Sequence, residues 1–91
     1  MIKLVLNKCY GGFGLSDYAV KALGLRSAYD DIDRSDAQLI AMVKADAEAV
    51  GGKYAKLRIV EIPDEATDYE VNEYDGLESV IYVLNGKIHH A

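Results

Sequence analysis

Ser35-Asp36-Ala37-Gln38-Leu39-Ile40-Ala41-Met42-Val43-Lys44-Ala45-Asp46-Ala47-Glu48-Ala49-Val50-Gly51-Gly52 is the stretch on which the fold turns. Leu39, Ile40, Val43, Ala47 and Val50 recur at helical spacing and make one apolar stripe. Ser35 is placed to cap the first turn, and Asp36 sets negative charge where the helix dipole favours it. Gly51-Gly52 stops the run, so the spacing predicts a helix over residues 36–50. Lys44 and Glu48 form an i, i+4 pair in the less favourable orientation, worth only tenths of a kcal/mol. A helix with a single apolar stripe must bury that stripe against another layer, and the flanking segments supply one.

On the N-terminal side, residues 26–34 are polar and read as irregular. Ser16 is a good N-cap for a short helix over 17–23, and Gly24 stands where that helix would end in left-handed geometry. Ile2-Lys3-Leu4-Val5-Leu6 reads as a strand with both faces at least partly covered. On the C-terminal side, Lys56 to Ile62 reads as a strong strand ended by Pro63, which cannot donate to a ladder. Tyr69 to Tyr74 alternates Tyr69/Val71 with Glu70/Asn72, one face apolar and one wet. Asp75-Gly76 is a turn, and Asn85-Gly86 between Val80–Leu84 and Lys87–His89 is a hairpin signal. The expected fold is therefore α+β, a small mixed sheet of three to five strands with two helices on one face, in the order β-α-α-β-β-β. If the first strand lies beside residues 57–62, the helical crossover predicts a parallel pair.

The 91 residues fit one domain, spanning 1–91, and 51% hydrophobic with 27% charged residues is the mix of a folded chain. A single cysteine, Cys9, excludes an intramolecular disulfide and fits a reducing cytoplasm. The apolar run at the start is too short for a signal peptide, and nothing approaches a membrane span of ~20 residues, so no membrane association is expected.

The net charge of −5 is unevenly spread. Residues 1–60 carry nine Lys/Arg and seven Asp/Glu. Residues 61–78 carry eight acids (Glu61, Asp64, Glu65, Asp68, Glu70, Glu73, Asp75 and Glu78) and no base. Such a run repels phosphate backbones and argues against ordinary nucleic-acid binding. It reads first as a solvated face.

Cys9-Tyr10-Gly11-Gly12-Phe13-Gly14-Leu15-Ser16 is the most suggestive stretch for chemistry. Glycines between a strand and a helix cap let backbone N–H groups converge on an anion, so Cys9, Gly11, Gly12, Phe13, Gly14 and Ser16 form a candidate anion or ligand loop. The spacing matches neither a P-loop nor G-x-G-x-x-G, and glycines of this kind more often answer a need for positive φ and close packing. Cys9 as a nucleophile needs a base, and the two histidines, His89 and His90, lie at an end expected to fray. Asp31 to Met42 opens like a calcium loop but has Asp36 where glycine is required and Met42 where glutamate is required. No catalytic residue, metal site or cofactor is nominated.

Seven tyrosines (Tyr10, Tyr18, Tyr29, Tyr54, Tyr69, Tyr74, Tyr82) are many beside one phenylalanine and no tryptophan. Tyrosine suits half-buried edges and interfaces, because the ring packs while the hydroxyl stays wet. Tyr69, Glu70, Glu73, Tyr74, Asp75 and Glu78 make a candidate recognition surface.

Two segments resemble a family. Lys8 to Ser16, and Glu61-Ile62-Pro63-Asp64 with Tyr69-Glu70-Val71-Asn72-Glu73-Tyr74-Asp75-Gly76-Leu77-Glu78, are similar to a family of small uncharacterised proteins from tailed phages, prophages and bacterial genomes. The likeness spans most of the chain except its end. That family closes with a charged, helix-like tail, whereas this chain closes with a hairpin pattern over residues 80–90. The resemblance implies a phage or prophage context and supplies no mechanism. The functional expectation is an accessory protein that binds a protein partner or self-associates into a homo-oligomer without catalysis. The alternatives are a ligand-binding protein or enzyme built on Cys9–Ser16, and an acidic mimic of DNA.

Overall fold

A computed structural model describes residues 1–28 and 30–91; Tyr29 lies outside the described residues. The fold is α+β. Its elements run β1 (Ile2–Asn7), α1 (Asp17–Leu23), α2 (Ala37–Val50), β2 (Leu57–Ile62), β3 (Asp68–Tyr74), β4 (Leu77–Leu84) and β5 (Lys87–His90). The strands form two antiparallel sheets, one of β1–β2 and one in the order β3-β4-β5. The expected mixed sheet is thus two sheets, with no parallel pair among the described residues.

The parallel pairing expected for β1 and β2 does not form. Asn7 lies opposite Leu57 and Ile2 opposite Ile62, so the chain re-enters β2 at the end where it left β1. A single helix carries a chain to the far end of a sheet. Here α1 and α2 together return it: Ser16 N–H donates to the Val50 carbonyl (2.9 Å) and Gly52 N–H to the Gly14 carbonyl (2.9 Å), tying the start of α1 to the end of α2.

The two faces of the β1–β2 pair serve two different cores. Val5, Leu57 and Ile59 face the helices and pack with Leu15, Ala19, Leu39, Val43 and Val50. Leu4, Leu6 and Ile62 face the other way and pack with Val80, Val71 and Tyr82 of the three-stranded sheet. The period of two along each strand produces this division. β1 is therefore the central plank of a three-layer arrangement, with helices, two strands and three strands stacked in turn, and its Leu4-Val5-Leu6 run is buried on both faces.

Local chemistry sets the boundaries. In α1 the Ser16 hydroxyl accepts from Ala19 N–H (3.2 Å) and Gly24 closes the helix at φ 70°, ψ 29°, as its residues predict. For α2 the cap is Asp36, whose carboxylate accepts from Leu39 N–H (2.9 Å). The expected cap, Ser35, donates its hydroxyl to Asp33 instead (2.7 Å). The backbone of α2 leaves helical geometry at Asp46 (φ −161°, ψ 90°), and the Asp46 carboxylate caps the last turn by accepting from Ala49 N–H (3.1 Å). Both hairpin turns, Asp75-Gly76 and Asn85-Gly86, have positive φ at both positions, the backbone that two-residue hairpins prefer. No helix among the described residues is long and apolar enough to cross a membrane.

Candidate functional site

At the end of β1 three loops meet around one buried side chain, Asn7. Its Nδ2 donates to the carbonyls of Cys9 (2.7 Å) and Gly76 (2.7 Å), and its Oδ1 accepts from Lys56 N–H (2.8 Å). Its own N–H donates to Glu78 Oε1 (2.8 Å). One amide thus fastens the glycine-rich loop, the start of β2 and the β3–β4 turn. Asn7 is wholly buried and has both polar atoms of its side chain engaged, the condition under which a polar group can sit in a core.

Glu78 continues the network. It is only 5% exposed, and its carboxylate takes a two-pronged bond from Arg34, Nη1 to Oε1 at 2.6 Å and Nη2 to Oε2 at 2.8 Å. The planar guanidinium fork matches a carboxylate in this way where a lysine would not. Arg34 lies 3.6 Å above the Phe13 ring and reaches the Val5 carbonyl with Nη1 (3.2 Å), while its own carbonyl accepts from Val5 N–H (2.8 Å). The segment around Arg34 therefore covers the free edge of β1. Glu78 does not belong to the exposed recognition surface; burial and the Arg34 pairing place it in the interior.

The glycines of the loop serve this junction. A Cβ on Gly11 would overlap the Tyr54 carbonyl, and one on Gly76 would lie 2.5 Å from Gly12 N and 2.6 Å from the Tyr10 carbonyl. Gly12 and Gly76 both adopt φ of 90°. Backbone meets backbone here, which only glycine permits. In the Gly12–Ser16 stretch, Leu15 N–H donates to the Ala28 carbonyl and Ser16 N–H to Val50, so neither faces an incoming anion. The Ser16 hydroxyl is held by Ala49 O (2.5 Å). Beside the loop lies a depression of about 170 Å³, lined by Gly12, Phe13, Gly14, Ala28, Lys53 and Tyr54 among others.

Cys9 is partly exposed, and its thiol donates to the Tyr54 carbonyl (3.0 Å) and Asn7 Oδ1 (3.4 Å). Both partners are oxygen acceptors, an amide and a peptide carbonyl, and neither can serve as a general base toward the thiol. His89 and His90 lie in β5, and their strand does not fray: Ala91 and Val80 exchange both backbone bonds (2.8 and 3.1 Å). The His89 ring stacks on Tyr82 with centroids 5.3 Å apart, covering the edge of the second core. Among the described residues no group of three His, Cys, Asp or Glu side chains is arranged to hold a metal.

The acids of residues 61–78 do not share one face. Glu61 lies opposite Lys3 and near Lys44 of α2. Lys44 is pushed below the usual lysine value, first by a hydrogen bond with Lys3 and then by repulsion from it, with Glu61 opposing the shift. Asp64 pairs with the Met1 ammonium (2.9 Å). On β3, Val71 lies opposite Val80 of the second core, so alternation puts Tyr69, Val71 and Glu73 on the inner side and Asp68, Glu70, Asn72 and Tyr74 on the outer side. The continuous acidic face that a DNA mimic needs does not form.

What remains exposed is the outer face of the three-stranded sheet. Tyr74 is 73% exposed and Ile88 69%. Ile81, Val83 and Ile88 form an apolar patch on adjacent strands, bordered by Asp68 and Glu70, around a shallow depression of about 200 Å³. The chain matches no protein-family model, no curated protein and no solved structure.

Asn7 and Arg34, the pivots of the junction, carry no sequence signal of their own. Each could be placed only with knowledge of partners far along the chain: Asn7 and Glu78 are 71 positions apart, Arg34 and Glu78 44.

Proposed function

We propose that this chain is a non-catalytic accessory protein of the cytoplasm that works by binding, in the phage or prophage setting implied by the family resemblance, and that its binding partner is a second copy of itself. The observation that carries this reading is the outer sheet. That layer leaves its outer face uncovered, and the face presents Ile81, Val83 and Ile88 together. Apolar side chains grouped in this way are the usual makings of an interface core, with Asp68, Glu70 and His90 as its rim. The glycine-rich loop gives less support to the ligand-binding alternative, because its glycines and thiol are engaged in holding three loops together.

Light scattering over a concentration series tests the reading. The expected result is a mass above that of the 10.0 kDa chain that rises with concentration. A strict monomer at high micromolar protein overturns it.

A further inference from the structure

The outer sheet ends in two strands of opposite charge, each with one edge unpaired among the described residues, and this points to how copies join. β3 carries Asp68, Glu70 and Glu73 with Asp75 just beyond it, and no base; β5 carries Lys87, His89 and His90, and no acid. Resting on the self-association reading above, we infer that copies associate head to tail, with the β5 edge of one chain pairing with the β3 edge of the next.

Each edge turns backbone groups away from β4. Val80 and Ala91 exchange reciprocal bonds, so with antiparallel alternation Tyr82–His89 and Leu84–Lys87 are the bonded pairs of β4 and β5. Ile88 and His90 therefore turn their N–H and C=O groups away from β4. By the same alternation the odd-numbered residues of β4 bond to β3, leaving Tyr69, Val71 and Glu73 to point outward from the other edge. Tyr69 N–H is indeed met by the side chain of its own neighbour Asp68 (2.9 Å), not by β4.

Charge selects among the three ways of joining such edges. Two β3 edges would set carboxylates against carboxylates, and two β5 edges would set Lys87 against Lys87; like charges across a strand pair destabilise it. Only the β5-to-β3 junction brings opposite signs together, and it continues a sheet that already has Ile81, Val83 and Ile88 on one side. Such a contact is heterologous, so it grows into a ring or an open chain and does not stop at a two-fold dimer.

Two proline variants test this. Ile88→Pro removes an outward N–H from the β5 edge, and Tyr69→Pro removes one from the β3 edge, in each case without deleting a bond to β4. Each variant alone, folded by circular dichroism, is expected to lose the large species seen for the parent chain. Mixed in equal amounts, they should form a species of two chains and no larger, joined through the one intact edge of each. If either proline variant fails to fold, His90→Pro and Glu73→Pro, which remove the next outward N–H on each edge, replace the pair: each alone should associate at least tenfold more weakly, and their mixture should form a species of two chains. A parent chain that associates while Tyr69→Pro associates equally well alone would mean that β5 pairs with β5, and would overturn the head-to-tail arrangement only. Equal association of both single variants would place the contact on the sheet face and overturn it likewise. A parent chain that stays monomeric would remove the self-association reading itself.

Discussion

Glu78 and Glu70 come from the same acidic run, eight residues apart, and have opposite fates. Glu78 is drawn inward to Arg34 and Asn7 at the junction of loops, where both of its carboxylate oxygens have partners; Glu70 stands on the outer sheet beside Ile81 with water in front of it. The same contrast separates the two regions that held candidate sites. The glycine-rich loop has residue types suited to chemistry, and the fold uses them to bring backbones into contact. The outer sheet has ordinary strand residues, and the fold leaves them uncovered. Exposure, more than residue type, marks where this molecule can meet another.

The sharpest way to break this comparison is to remove each glutamate. Glu78→Ala deletes the acceptor of both Arg34 bonds and of Asn7 N–H. Stranding a largely buried cation in this way costs about 3 kcal/mol, the lower end of the usual range because Arg34 keeps some access to water. Glu70→Ala should change stability by no more than about 0.5 kcal/mol, as surface substitutions do. Urea unfolding midpoints of the two variants check this, and equal losses would mean that the junction does not hold the fold together.

A second pair of variants separates the loop's close contacts from its backbone conformation. Gly76→Ala must move Gly12 and the Tyr10 carbonyl as well as hold an L-residue at φ 90°, and should cost roughly 2–4 kcal/mol. Gly12→Ala has the same φ with nothing within 4 Å of the new methyl group, so only the conformational cost of about 1–2 kcal/mol applies. The difference between the two melting temperatures measures how tightly the turn and the loop abut.

What could be read from the sequence follows the same divide. α1 was legible to the residue, because Ser16 and Gly24 act on their own helix ends. The Asn85-Gly86 hairpin was legible for the same reason, since a two-residue turn carries its own backbone requirement. The cap of α2 shifted by one residue because Ser35 and Asp36 are both competent, and the choice depends on Asp33, which takes the serine hydroxyl. The antiparallel β1–β2 pair was not legible: two helices reverse the chain where one would not, and nothing local says whether the second helix returns to the starting end. Glu78 looked like its acidic neighbours because its distinguishing feature, Arg34, lies 44 positions away. The glycine-rich loop was visible as a feature, but its purpose became clear only with Tyr54 and Gly76 beside it.

His89 offers a smaller probe, at the margin between buried and open regions. Its ring lies nearly parallel to Tyr82, with 15° between the planes, over a side chain that packs against the second core. His89→Ala should cost about 0.5–1 kcal/mol, the scale of a cross-strand aromatic pair, while His90→Ala, on the outer face, should leave the melting temperature unchanged.

The smallest expected effect lies in the turn that aims Arg34. Asp33 accepts from both the hydroxyl and the backbone N–H of Ser35 (2.7 and 2.9 Å), and these bonds hold its carboxyl below the ordinary aspartate value, the side-chain bond contributing most and slight burial opposing it. A carboxyl whose value is depressed by folding binds fewer protons in the folded chain than in the unfolded one. Its contribution to stability is therefore fully present above the unfolded value of about 3.9 and is lost as the pH falls through the lower folded value. Asp33 is exposed, so solvent keeps that contribution small. Ser35→Ala should move the Asp33 carboxyl back up toward its ordinary value in a carbon-detected NMR titration. The Glu78 resonance should hold its position at neutral pH, because the turn aims Arg34 through its backbone and the hydroxyl only strengthens it. If Glu78 shifts as well, the surface turn and the buried ion pair are one cooperative unit, and the boundary between the closed region and the open one lies farther out than Arg34.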